Sequence, residues 1–131
     1  MKIFIDTSAL FSILDADDIN HEQGKKIWID IVNNEETLIS TNYVLIESFA
    51  LVQRRLGFKA LRALEENILP IVHIEWIDRE IHNTGILALF HASQRKLSLV
   101  DCISFIIMRN LNINHAFTFD RHFGREGFSV L

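Results

Sequence analysis

The chain of 131 residues is predicted to fold as a single α/β domain, residues 1–131, in which short parallel strands alternate with helices. Three observations predict it. Brief apolar runs stop abruptly at an acid or a turn; between them apolar residues recur at helical spacing. The composition is that of a chain with a real core: 49% hydrophobic, ten Phe and one Pro, with no Gly/Ser tract and no internal repeat.

Residues 2–5 (KIFI) read as a strand that stops at Asp6, and Leu10, Ile13 and Leu14 open a helix directly after it. Ile27, Trp28, Ile31 and Val32 mark a second helix over 19–34, and residues 37–40 (TLIS) a second strand. A third helix over 43–56 is closed by Gly57 as a left-handed cap. Over 58–68, Leu61, Leu64 and Ile68 line one side of a helix whose other side carries Lys59, Arg62, Glu65 and Glu66. Pro70 cannot donate to a ladder, so it is expected to open an edge strand through 71–74. Residues 77–94 form a helix, and 100–111 form one apolar nearly all round and therefore buried. Residues 115–119 (HAFTF) are a strand ending at Asp120, and 128–131 (FSVL) a last one. Ligands of such sheets sit at the carboxyl ends of strands, where Asp6 and Asp120 both fall.

Cys102 is the only cysteine, which rules out an intramolecular disulfide and disfavours a zinc cluster. The N-terminal apolar stretch is interrupted at Asp6 and Asp15 without a small-residue cleavage site, and no window reaches the ~18 apolar residues of a membrane span. A soluble, cytoplasmic protein with no membrane partner is expected. The net charge of −4 argues against gripping nucleic acid by overall charge, an objection that bound cations would relieve.

Four acids stand out, three of them with an ordinary structural account. Asp6 before Thr7 and Ser8 is a good helix N-cap. Ser98 and Asp101 have the spacing of a capping box, which also fixes where the carboxylate points. Asp120 can shape an Asx-turn before His122. Glu47 fits a structural account least well: its helical neighbours are Tyr43, Val44, Ala50 and Leu51, surroundings in which an ionised acid needs a partner. Jointly, two acids end strands, one opens a buried helix and one projects from an apolar helix. Clustered carboxylates raise one another's pKa and call for a cation, and oxygen ligands suit Mg²⁺ or Mn²⁺.

Other motifs carry less. The His residues lack H-x-x-x-H or H-E-x-x-H spacing, and neither a nucleotide-binding G-x-x-x-x-G-K loop nor a G-x-S-x-G elbow is present. Cys102 reads as core rather than nucleophile. Arg54, Arg55, Lys59 and Arg62 form a basic stretch that reads first as a solvated face and second as an RNA contact; Arg95 and Lys96 before Asp101, and Arg121 and Arg125 after Asp120, are candidates to touch phosphates beside the site.

The segments Phe4-Ile5-Asp6-Thr7-Ser8-Ala9-Leu10, Glu47 in the third helix, Leu99-Val100-Asp101, and Thr118-Phe119-Asp120 followed by Phe123 and Gly127 occur in order. On these, the chain resembles the PIN-domain nucleases over essentially its whole length, especially the single-domain VapC-like toxins of type II toxin–antitoxin pairs. The resemblance implies a three-layer α/β/α sandwich around a mainly parallel sheet. It makes Asp6, Glu47, Asp101 and Asp120 the catalytic, metal-binding set, with Ser8 and Thr118 as auxiliary hydroxyls. Asp6 and Asp101 would hold the principal Mg²⁺ (or Mn²⁺), with Glu47 and Asp120 completing or sharing a second site. The implied activity is metal-dependent hydrolysis of RNA phosphodiester bonds, and the implied partners are RNA, a small antitoxin protein and a second copy of the chain.

A housekeeping RNA-processing nuclease of the same family, and a non-catalytic PIN-like module binding RNA or protein, are the alternatives. A haloacid-dehalogenase-type domain would need a second Asp where Ser8 stands. A receiver-type domain would need an acidic pair after the first strand and a late Lys, yet no Lys follows Lys96.

Overall fold

A computed structural model describes all residues, Met1–Leu131. Five strands, β1 (Lys2–Ile5), β2 (Thr37–Thr41), β3 (Val72–Glu75), β4 (His115–Phe117) and β5 (Ser129–Val130), form one sheet in the order β3-β2-β1-β4-β5. Every pairing is parallel. The helices are α1 (Thr7–Leu14), α2 (His21–Asn33), α3 (Asn42–Leu56), α4 (Phe58–Ala63), α5 (Arg79–Ala92), α6 (Leu99–Asn110) and α7 (Arg121–Arg125). Right-handed crossovers put α1–α4 on one face of the sheet and α5–α7 on the other. The packing agrees: α1 lies against α2 and α3, α3 against α4, and α5 against α6. This is the expected three-layer α/β/α sandwich, with a sheet that is parallel throughout.

Sandwiched strands should be apolar on both faces. Ile3, Phe4 and Ile5 of β1 are all buried, as are Ala116 and Phe117 of β4. The apolar helix α6 is buried as expected, through Cys102, Ile103, Phe105, Ile107 and Met108. The edge-strand expectation for 71–74 holds for β3, but Pro70 lies outside it, in a tight turn over Leu69–Ile71. The helix expected over 58–68 is α4 followed by a wide turn, Leu64–Ile68, that still buries Leu64 and Ile68. Gly57 has the positive φ expected of it (86°), but its ψ of −172° is extended rather than left-handed helical. Its N–H closes α3 on the carbonyls of Val52 and Gln53 while the same residue opens α4. No helix is long and apolar enough to cross a membrane.

Two features of the sheet position the site. The β1–β4 register pairs Ile5 with Phe117, so the next residues, Asp6 and Thr118, emerge side by side at the carboxyl edge. The Asp6 N–H still donates to the Phe117 carbonyl at 3.2 Å. On the other flank, the Thr7 and Ser48 hydroxyls meet at 3.0 Å, fastening α3 against the start of α1.

Candidate active site

Asp6 occupies the N-cap position of α1 yet makes no side-chain cap bond. Its Oδ2 instead accepts from the Ser8 hydroxyl at 2.9 Å and the Thr118 hydroxyl at 3.0 Å. Each hydroxyl is itself an acceptor: Ser8 Oγ takes the Phe119 N–H (2.9 Å) and Thr118 Oγ1 the Asp120 N–H (3.0 Å). The two hydroxyls also lie 3.2 Å from each other, so Asp6, Ser8 and Thr118 form one network that ties the backbone leading to Asp120 to the same carboxylate. Those bonds also explain why β4 stops at Phe117 and not at Phe119, since the Phe119 and Asp120 amides leave the ladder for hydroxyls. Burial pushes the Asp6 carboxyl up to about 6; the Ser8 and Thr118 donors hold it down, and the Asp101 charge adds to the rise.

Asp101 sits in the capping box expected of it. The Ser98 hydroxyl accepts from the Asp101 N–H, and Asp101 Oδ2 accepts from the Ser98 N–H, both at 3.1 Å. The box opens the buried helix α6 and aims the carboxylate at the sheet edge. Burial raises its pKa; the Ser98 N–H opposes that, and the charge of Asp120 adds to it. Asp120 forms the anticipated turn, its Oδ1 accepting from the His122 N–H at 2.9 Å. The His122 ring meets the same oxygen through Nδ1 at 2.8 Å.

Asp101, Asp120 and His122 each offer a ligand atom, all within 4.8 Å of one another. His122 was not singled out from the sequence; its signal is the i, i+2 spacing from Asp120 at the start of a short helix. Glu47 stands apart from this group and is exposed, which removes the premise that apolar surroundings oblige it to find a partner. Helix α3 buries the stripe Val44, Ser48, Val52, and Glu47 falls beside the stripe rather than on it. It lines a shallow pocket with Tyr43, Ile46 and Val100, the last adjoining Asp101, so it lies on the rim of the same edge. Cys102 is buried and its thiol is pushed up by burial, in keeping with a core residue.

On the Asp120 side a cleft of about 570 Å³ opens. Arg95 and Lys96 border it from the α5–α6 loop and Arg121 and Arg125 from α7, facing Asp120 and His122. The four cations flagged in the sequence thus share one wall beside the acids.

Buried, mutually charged carboxylates at the carboxyl edge of a parallel sheet, braced by hydroxyls, define a class. A PIN-domain sequence profile matches residues 3–128, and the chain belongs to the PIN-domain family. Among individual proteins it is similar to the 23S rRNA-specific endonuclease VapC20 of Mycobacterium tuberculosis, with 30% identity over 127 residues, 96% of this chain and 95% of the relative. The crystal structure of M. tuberculosis VapC20, described as a Sarcin-Ricin loop cleaving toxin, matches with a TM-score of 0.85 over 96% of this chain and 95% of that one. FitAcB from Neisseria gonorrhoeae shares the fold at 18% identity (TM-score 0.69, 98% and 96% covered). So does VapBC2 from Rickettsia felis, bound to a DNA fragment from its promoter, at 12% identity (TM-score 0.65, 100% and 98% covered).

Proposed function

We propose that this protein is a ribonuclease that hydrolyses RNA phosphodiester bonds with Mg²⁺ or Mn²⁺, acting as a VapC-like toxin. The observation that carries the reading is the convergence of Asp6, Asp101 and Asp120 on one sheet edge, in a chain similar over nearly its full length to an rRNA endonuclease. The donor set fits a hard divalent cation: carboxylate oxygens dominate, a single imidazole adjoins them, and the charge of Asp101 raises the Asp6 pKa as that of Asp120 raises the Asp101 pKa. Asp6, Asp101 and Asp120 would hold the ion, with Glu47 at the exposed rim available to a second one. When bound, a divalent ion supplies an activated water and charge stabilisation at the phosphate.

The protein's own groups do the remaining work. Ser8 and Thr118 hold Asp6 in one orientation and favour its ionised form. The Ser98 box fixes Asp101, and His122 steadies one oxygen of Asp120. By similarity to VapC20, 23S rRNA is the first substrate to try, and a small antitoxin protein and a second copy of the chain are the partners. Purified full-length protein is expected to cut RNA with Mg²⁺ or Mn²⁺ and to stop in EDTA. Asp6→Asn and Asp101→Asn should each remove most activity without unfolding the chain. Undiminished cleavage by both variants would reject these roles, and a metal-independent RNA binder without cleavage would favour the non-catalytic alternative.

A further inference from the structure

We infer that the cleft bordered by Arg95, Lys96, Arg121 and Arg125 is the path of the RNA strand, holding phosphates on the Asp120 side of the acids. The choice of RNA rests on the nuclease reading above. Arg121 and Arg125 are four residues apart on α7 and so share a face of that helix. The α5–α6 loop brings Arg95 and Lys96 to the same cleft. None of the four forms an ion pair with a carboxylate. Arg109, by contrast, is paired with Glu126 at 2.7 Å. Asp120 is the one carboxylate lining the same cleft, so the mutual repulsion of the four cations is only partly offset, and a polyanion relieves the rest.

The rest of the surface does not offer the same thing. The molecule carries a net charge of −4, so a strand avoids it except where positive charge is local. The opposite rim, lined by Tyr43, Ile46, Glu47 and Val100, has no cation at all. The strand is therefore held from one side. Phe119 is the one apolar residue of the cleft, which otherwise presents polar and charged groups suited to a sugar–phosphate backbone.

The test is binding of a labelled single-stranded RNA to the full chain in EDTA, where cleavage is off, followed by fluorescence anisotropy over about 50 to 200 mM salt. Four phosphate contacts predict a slope of log affinity against log salt of about −2.8, and removing two contacts should lessen it by about 1.4. Arg95→Gln/Lys96→Gln and Arg121→Gln/Arg125→Gln should each show that change and bind several-fold more weakly. Lys59→Gln/Arg62→Gln, the same charge change on α4, should bind as wild type. Unchanged slopes in both cleft pairs, or an equal loss in the α4 pair, overturn the assignment. A poly-Glu peptide that competes as well as RNA of equal charge would also overturn it, giving the cleft to an acidic protein segment. The nuclease reading fails separately: cleft-dependent RNA binding with no cleavage in Mg²⁺ or Mn²⁺ would leave the cleft standing without the chemistry.

Discussion

The Thr118 hydroxyl donates to Asp6 Oδ2 at 3.0 Å across 112 positions of sequence, joining the ends of two neighbouring parallel strands through one buried carboxylate. Because the same Thr118 oxygen receives the Asp120 N–H, one side chain sets the geometry of two acids.

Thr118→Val removes both bonds while keeping the volume. It should raise the Asp6 pKa further above about 6 and destabilise the fold by about 1–3 kcal/mol, the range for leaving buried polar groups unpaired. Thr118→Ser should restore both properties. Carboxyl-carbon NMR titration reads the first and urea unfolding the second; a Val variant with an unmoved Asp6 titration contradicts the bracing role.

The Asp6 carboxyl, held at about 6 against an ordinary 3.8, has a consequence for the metal-free protein. Between about pH 4 and pH 6 the folded state keeps a proton that the unfolded chain has lost. Stability should therefore be highest below that window and fall through it as pH rises, by on the order of 3 kcal/mol, then level off. Asp101, also raised, acts with the same sign. Asp6→Asn should flatten the profile and be more stable than wild type near neutral pH in EDTA. Urea midpoints across that range check it, and a wild-type stability that climbs between pH 4 and 6 would speak against the shift.

Asp101 has two roles that two substitutions separate. Asn retains an oxygen able to accept the Ser98 N–H, so Asp101→Asn should keep the box, relieve the charge on Asp6 and Asp120, and fold at least as stably as wild type without metal. Ala loses the acceptor, so Asp101→Ala should fall below Asn by about 1 kcal/mol, the usual worth of a cap. Equal stabilities for the two would mean that the box contributes nothing.

Gly24 of α2 packs directly against Ser12 of α1. A Cβ there would lie 2.1 Å from Ser12 Oγ, and that hydroxyl is buried and bonded to the Ala9 carbonyl at 2.7 Å. Gly24→Ala should destabilise the fold by about 1–3 kcal/mol despite the better helix propensity of Ala. Adding Ser12→Ala should recover part of the loss, a non-additivity that thermal melts of the four proteins can read.

What the sequence discloses divides along the range of the interaction. The Ser98–Asp101 box and the Asp120–His122 turn are legible because their partners lie three or fewer positions apart. The burial of α6 is legible because its apolar residues leave no polar face. The Asp6 carboxylate fits a helix cap equally well on sequence, since nothing local says that β4 will pair with β1 and bring Thr118 across to it. Glu47 has apolar neighbours in sequence, yet its exposure is decided by which stripe of α3 meets the core, and that stripe runs through Val44, Ser48 and Val52. The cationic cleft needed the fold to bring residues 95–96 and 121–125 together, although each pair was recognisable as standing beside an acid.

The proposed function requires the acids at the sheet edge to act as one site for a divalent cation. The melting temperature of the full chain in Mn²⁺ or Mg²⁺, with ionic strength matched by a monovalent salt, tests it most directly, because screening alone softens carboxylate repulsion. An ion bound only by the folded state, at 100 times its dissociation constant, stabilises by about 2.7 kcal/mol. For a domain of this size the gain is roughly 10 °C. Wild type should show that rise near neutral pH, lose it as pH falls through about 6, and Asp6→Asn and Asp101→Asn should show little of it. A wild-type melting temperature indifferent to both ions, or a rise of equal size in the two variants, would contradict the claim.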